Sequence, residues 1–156
     1  MNEKQSKWHT KEIAQTYVEG VRGAIPGANL QLEIISKIVN AWFPLPSKII
    51  DLGCGDGILG RMLLDEYPAA HIVFADFSEP MLDKLRNLIG TDKRATVINK
   101  DFATSAWIKG LEMEKPFDII VSGFAIHHQP DERKRDLYTE IHGLLSDGGL
   151  FLNLDQ

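Results

Sequence analysis

Three aspartates and a histidine pair each stand just behind a short apolar run: Asp51 after Lys48-Ile49-Ile50, Asp76 after residues 72–75, Asp101 after residues 96–99, and His127-His128 closing the stretch that follows residues 117–121. A lone aspartate after a strand is commonly a helix cap; its repetition at equivalent places is what suggests a shared site. The first of these places opens the stretch Asp51-Leu52-Gly53-Cys54-Gly55-Asp56-Gly57-Ile58-Leu59-Gly60, with four glycines in eight residues. Gly53, Gly55 and Gly57 allow tight turning and close approach to a ligand without a Cβ in the way. Through Gly55, Gly57 and Gly60 the loop also spells G-x-G-x-x-G, the dinucleotide pattern, which would aim a helix N-terminus at a pyrophosphate. Asp51 and Asp56 argue against that, because crowded carboxylates suit a cation. A ligand carrying an ammonium and a sulfonium fits their field better. Asp76, with Phe77 beside it, can accept both hydroxyls of a ribose, since Ser78 can cap the helix near Glu79, with Pro80 in its first turn. Asp101 and Phe102 would offer an adenine an amino-group acceptor and a ring face.

The elements that must position these residues follow from periodicity. Ile13, Tyr17, Val18 and Val21 share one helical face; Leu30, Ile34, Ile35, Ile38, Val39 and Trp42 share another, with Ala24-Ile25-Pro26-Gly27 between them and Pro44 and Pro46 after. Apolar runs and amphipathic segments then alternate. Strands are expected at 48–52, 72–75, 96–99, 117–122 and 150–154. Helices are expected near 58–66, on Met81, Leu82, Leu85 and Leu88, briefly before Trp107, and on Leu137, Ile141, Leu144 and Leu145. Continuous apolar strands separated by helices form parallel sheets covered on both faces, so the expected fold is doubly wound α/β with its ligands at the carboxyl ends of the strands. Residues 1–46 would be a helical cap and 47–156 the ligand-binding core of a single compact domain.

Composition narrows the classes of function. The 156 residues suffice for one domain with a real core. No apolar run approaches the roughly 20 residues that span a bilayer, the polar start lacks a signal h-region, and one cysteine excludes a disulfide framework, so a cytoplasmic protein is expected. A net charge of -5 argues against a partner held mainly through phosphates. Arg133-Lys134-Arg135 is the small basic cluster that keeps an RNA acceptor open, against the plainer reading of a solvated helix face.

Taken in order, "IIDLGCGDG", "VFADFSEPML", "NKDF", "FDIIVSGFAIHH" and "LLSDGGLFLNL" resemble the class I S-adenosylmethionine-dependent methyltransferases, over residues 48–154. The resemblance implies a Rossmann-like core in which Gly53, Cys54 and Gly55 wrap the methionine part of S-adenosylmethionine, organised by Asp51. It further implies that Asp76 and Phe77 meet the ribose, Asp101 and Phe102 frame the adenine, the backbone at Gly123 and Phe124 meets the amino group, and His127 and His128 lie near a small-molecule or RNA acceptor. No metal is implied. The leading "YVEGVRGAIPGANLQLEII" is similar to small methyltransferases of the tRNA-uridine-modifying type, which would bring Tyr17 and Arg22 over the pocket, although Ala28 stands where that subgroup often has tyrosine.

Methyl transfer from a sulfonium is an in-line displacement, and a general base is needed only where the acceptor must lose a proton. His127 and His128 are the candidates by position, against simple backbone bonding. Cys54 is a poor nucleophile, its thiolate disfavoured by Asp51 and Asp56. Two alternatives stay open: an NAD-dependent oxidoreductase and a binding module without catalysis. Family members also continue past the fifth strand with a helix and an antiparallel strand pair, absent here. The expectation is therefore a shortened form of a longer methyltransferase, or a homodimer through the bare apolar edge at Leu150, Phe151, Leu152 and Leu154.

Overall fold

Lys48–Leu52 (β1) is the centre of the molecule, pairing in parallel with His71–Asp76 (β2) on one side and Phe117–Gly123 (β4) on the other. Ala95–Asn99 (β3) adds beyond β2 and Leu145–Leu154 (β5) beyond β4, giving the order β3-β2-β1-β4-β5. The structure is a computed structural model and describes residues 28–111 and 116–155. The amphipathic segment expected around Ile13–Val21 lies outside them. Among the described residues no helix is long and apolar enough to cross a membrane.

Alternation along β1 sends Ile49 to one face of the sheet and Ile50 to the other, and each face has its own core. On the first, Ala28–Trp42 (α1), Ile58–Glu66 (α2) and Glu79–Ile89 (α3) pack Ile35, Val39, Leu59, Leu63, Leu82 and Leu85 against Ile49, Ile72, Phe74, Ile119 and Val121. On the second, Asp131–Leu144 (α4) packs Leu137, Ile141 and Leu144 with Trp107 against Ile50, Val73 and Ile120. Right-handed crossovers from β1 outward place α2 and α3 on one face; the chain then returns across the sheet to β4, and α4 covers the other. The strand order therefore reverses between β1 and β4, where such sheets hold their ligands.

Several boundaries differ from expectation. Leu145 ends no helix but opens β5, whose pairing with β4 jumps from Phe117↔Leu145 to Ile119↔Leu150, so Gly148-Gly149, just before the strand expected at 150–154, is an irregularity inside one strand. On α1 only Ile35 and Val39 are fully buried; Leu30, Ile34, Ile38 and Trp42 are exposed, although Trp42 Nε1 donates to the Gly148 carbonyl at 3.1 Å. Leu88 likewise lies outside the buried stripe of α3. The open edge of β5 is half-buried.

Candidate functional site

The carboxyl ends of β1, β2 and β4 meet at one edge, and the glycine loop is folded back over that edge by its own backbone. The N–H groups of Gly53 and Cys54 both donate to the Ala75 carbonyl, at 2.8 and 3.1 Å. Gly53 has φ +68°, and a Cβ there would lie 2.4 Å from the Ala125 Cβ and 3.2 Å from Cε1 of Phe102. Loop, β3 exit and β4 exit thus touch at a point that only glycine can occupy. Gly57, with φ +79°, is the last residue before α2; a Cβ there would meet Leu85 at 2.5 Å.

Asp51 is 1% exposed, and its Oδ2 accepts the Gly60 N–H at 2.8 Å. That N–H is among the first of α2, so a strand carboxylate already occupies the helix N-terminus. A dinucleotide pyrophosphate would face this charge, which removes the argument for NAD in the spacing of Gly55, Gly57 and Gly60. The field is less negative than the sequence implied at Asp56, because Arg61 approaches its carboxylate at 3.9 Å.

Asp76 ties the loop to β2. Its Oδ2 accepts the Gly55 N–H and its Oδ1 the Ser78 N–H, both at 2.8 Å. Burial raises its pKa from the ordinary 3.8, against the backbone N–H groups of Ser78, Gly55 and Phe77, with Asp101 adding to the rise. Ser78 occupies the N-cap position of α3 but makes no side-chain cap bond, contrary to expectation. Phe77 follows Asp76, and its carbonyl accepts from Asn99 Nδ2 at 3.1 Å. Asp101 is exposed and spends Oδ1 on the Ala103 N–H, while Phe102 is buried against Gly53.

At the exit of β4, Gly123 lies over Leu59, and Phe124 adopts φ +54°, the left-handed region, with its N–H donating to the Leu154 carbonyl at 2.8 Å. His127 and His128 follow on a short 3-10 turn, ring centroids 4.0 Å apart. Cys54 is buried, and burial first, then Asp51 and Asp76, pushes its thiol pKa well up, so it is inert as a nucleophile. Asp51 and Asp56 both act as expected, but desolvation leads and Asp56 contributes least. Tyr17 and Arg22 lie outside the described residues.

Sequence reasoning missed two features. His127 Nδ1 lies 2.6 Å from Asp155 Oδ1, a pairing hidden by the distance between them along the chain. Arg133 is no part of a solvated basic face: its Nε donates to the Phe102 carbonyl at 2.8 Å, and its NH1 and NH2 grip both oxygens of Glu140 at 3.1 and 2.6 Å. Glu140 also accepts Trp107 Nε1 at 2.6 Å. Burial alone would raise the Glu140 carboxyl, but the bonds from Arg133 and Trp107 outweigh it and hold it below its usual range. This helix-borne fork fixes the segment that carries Phe102. Arg133→Met should cost toward the lower end of about 3–5 kcal/mol, since it strands a largely buried carboxylate. The double variant Arg133→Met/Glu140→Gln should recover most of that loss, because glutamine still accepts from Trp107. Urea unfolding of the two decides it: equal losses would show that the stranded charge is not the cause.

A family model described as "Methyltransferase domain" matches residues 49–149. A malonyl-[acyl-carrier protein] O-methyltransferase of Ilyobacter polytropus is 29% identical over 67% of this chain and 37% of its own length. A ribosomal RNA large subunit methyltransferase G of Psychromonas ingrahamii is 32% identical over 66% of this chain and 28% of its own length. The chain thus spans well under half of the curated relatives it matches. Among solved structures, an O-methyltransferase family protein from Burkholderia thailandensis superposes with TM-score 0.78 at 16% identity, over 96% of this chain and 43% of its own. A SAM-bound amino pentose methyltransferase from Micromonospora echinaspora gives 0.71 at 18% identity, over 88% and 55%.

Proposed function

Because this chain belongs to the methyltransferase-domain family, among the class I S-adenosylmethionine-dependent methyltransferases, we propose that it methylates a small-molecule or RNA acceptor with S-adenosylmethionine as donor. One observation carries the reading furthest. The buried Asp76 carboxylate holds the glycine loop through the Gly55 N–H, beside a point at Gly53 where a Cβ would collide with Ala125 and press on Phe102. A carboxylate has about four lone-pair positions; the N–H groups of Gly55, Ser78 and Phe77 engage three, and what is left would take a hydroxyl of the ribose. Phe102 would form the adenine wall, with Asp101 and Phe77 at its rim. The backbone of Gly53, Cys54 and Gly55 would hold the methionine portion, with the amino group met at Gly123 and Phe124, and Tyr17 and Arg22 covering it. Asp51 acts one step behind, fixing the start of α2.

S-adenosylmethionine supplies a methyl group on a sulfonium, electrophilic without further activation. The protein's task is to orient, and holding both reactants in a near-attack arrangement is worth on the order of 7–11 kcal/mol. The buried aspartates suit a cationic ligand. Titration calorimetry of the folded chain should give micromolar binding of S-adenosylmethionine and of its demethylated product. Absence of heat with both, together with stabilisation by NAD, would return the oxidoreductase reading.

A further inference from the structure

We propose that His127 is the general base of this site, that Asp155 is its positioning residue, and that the acceptor therefore attacks through a hydroxyl group. The inference rests on the methyltransferase reading and narrows its acceptor. His127 and Asp155 come from adjacent strand exits: β4 pairs with β5 up to Gly123↔Leu154, His127 follows on the turn after β4, and Asp155 is the residue after β5. Their side chains meet at 2.6 Å, Nδ1 to Oδ1, the distance of a charge-assisted bond. The second oxygen of Asp155 accepts Asn153 Nδ2 at 3.1 Å, so the carboxylate is itself oriented. An ionised carboxylate has no proton to give, and Nδ1 must carry the proton of the bond. Nε2 is then the nitrogen with the lone pair, on a side chain that keeps 28% of its surface open. This is the arrangement of a base held in one tautomer by a third group.

Its location is the second leg. Ala125, two residues before His127, is the residue that packs on Gly53 of the glycine loop, so this turn borders the place assigned to the donor. Such a base selects among acceptors. A carboxylate acceptor is already ionised at neutral pH, and a neutral amine can attack with its lone pair and release its proton afterwards. A hydroxyl, with a pKa near 10 for a phenol and higher for an alcohol, benefits from losing its proton during attack. As the new O–CH3 bond forms, the S–CH3 bond breaks and the hydroxyl proton passes to Nε2. The positive charge leaves the sulfur and ends on an imidazolium facing Asp155, which then returns its proton to water.

The test is nuclear magnetic resonance on the full chain with 15N-labelled histidine and S-adenosylmethionine labelled in its methyl group. Long-range 15N spectra should show His127 with Nδ1 protonated and Nε2 bare. Asp155→Asn should abolish that preference, because its amide can present a donor to Nδ1. In the saturated complex the labelled methyl should give cross-relaxation to the His127 ring protons, and His127→Asn, which removes those protons, should erase the peak. An Nε2–H tautomer in the unmodified chain, an unchanged tautomer in Asp155→Asn, or a bound ligand with no contact to His127 overturns the proposal and leaves the methyltransferase reading standing. A chain whose spectra do not respond to the ligand overturns both.

Discussion

Asp76→Ala should lower the affinity for S-adenosylmethionine by roughly 10- to 100-fold, while the ligand-free protein loses little stability. The two effects separate because the carboxylate serves two masters. Toward the ligand it would offer an acceptor to a ribose hydroxyl, and a bond to a charged group is worth about 1.5–3 kcal/mol, a factor of about 10 to 100. Toward the protein it accepts from Gly55, Phe77 and Ser78, but its own burial works against it and raises its pKa. Removing it orphans three N–H groups and also removes a desolvated charge, and these partly offset. The pH dependence has an opposite sign for the two quantities. Since the folded pKa lies above the unfolded one, the native state holds the proton where the unfolded chain has lost it, and between those two values stability from this group rises as pH falls. Affinity falls over the same window, because a protonated carboxyl loses an acceptor. Calorimetry and urea unfolding across that range check both. A variant that is much less stable yet, where folded, binds normally would make Asp76 a capping residue only.

Gly53→Ala should be among the most damaging single methyl groups at the described residues. The left-handed backbone costs an L-residue about 1–2 kcal/mol, and the new Cβ would sit 2.4 Å from the Ala125 Cβ, which has no rotamer to escape through. Overpacking of this kind adds about 1–3 kcal/mol. Gly110→Ala is the control: its φ is +88°, yet nothing lies within 4 Å of the new Cβ. Gly53→Ala should therefore lose about 2–5 kcal/mol and all detectable ligand heat, and Gly110→Ala only the backbone share. Equal stability and binding in the two would mean that the loop can shift off β4 freely.

The sheet was legible because parallel strands buried on both faces write themselves as unbroken apolar runs, and β1 and α2 have the limits expected of them. Leu145 misled because an apolar residue at the end of a helical stripe is equally good as the first residue of a buried strand. Leu30, Ile34 and Ile38 misled for a related reason: periodicity reports that a face is apolar, and cannot report how much of it the core covers. At the site, residue types and strand-end positions were visible one by one, since each sits next to its own strand. What joins them was not. The bond from Asp76 to Gly55, the fork of Arg133 on Glu140 and Phe102, and the contact of His127 with Asp155 each depend on which strand exits become neighbours, and no local pattern encodes that.

The position of β1 between β2 and β4 also orders events in the life of the chain. Lys48 finds His71 after one short crossover, whereas Ile49 must wait for Ile119. Pairing across so long a stretch is the slow part of folding such a sheet, and during synthesis β1 through β3 can be in place while the β4 side of β1 is still a bare apolar edge. The seam that closes last is the one the proposed ligand would straddle, with the glycine loop and Asp76 on its early side and Ala125, His127 and Asp155 on its late side. A small molecule bound there would stabilise only the finished seam, so a donor in the proposed site would double as a clasp between the two halves of the sheet.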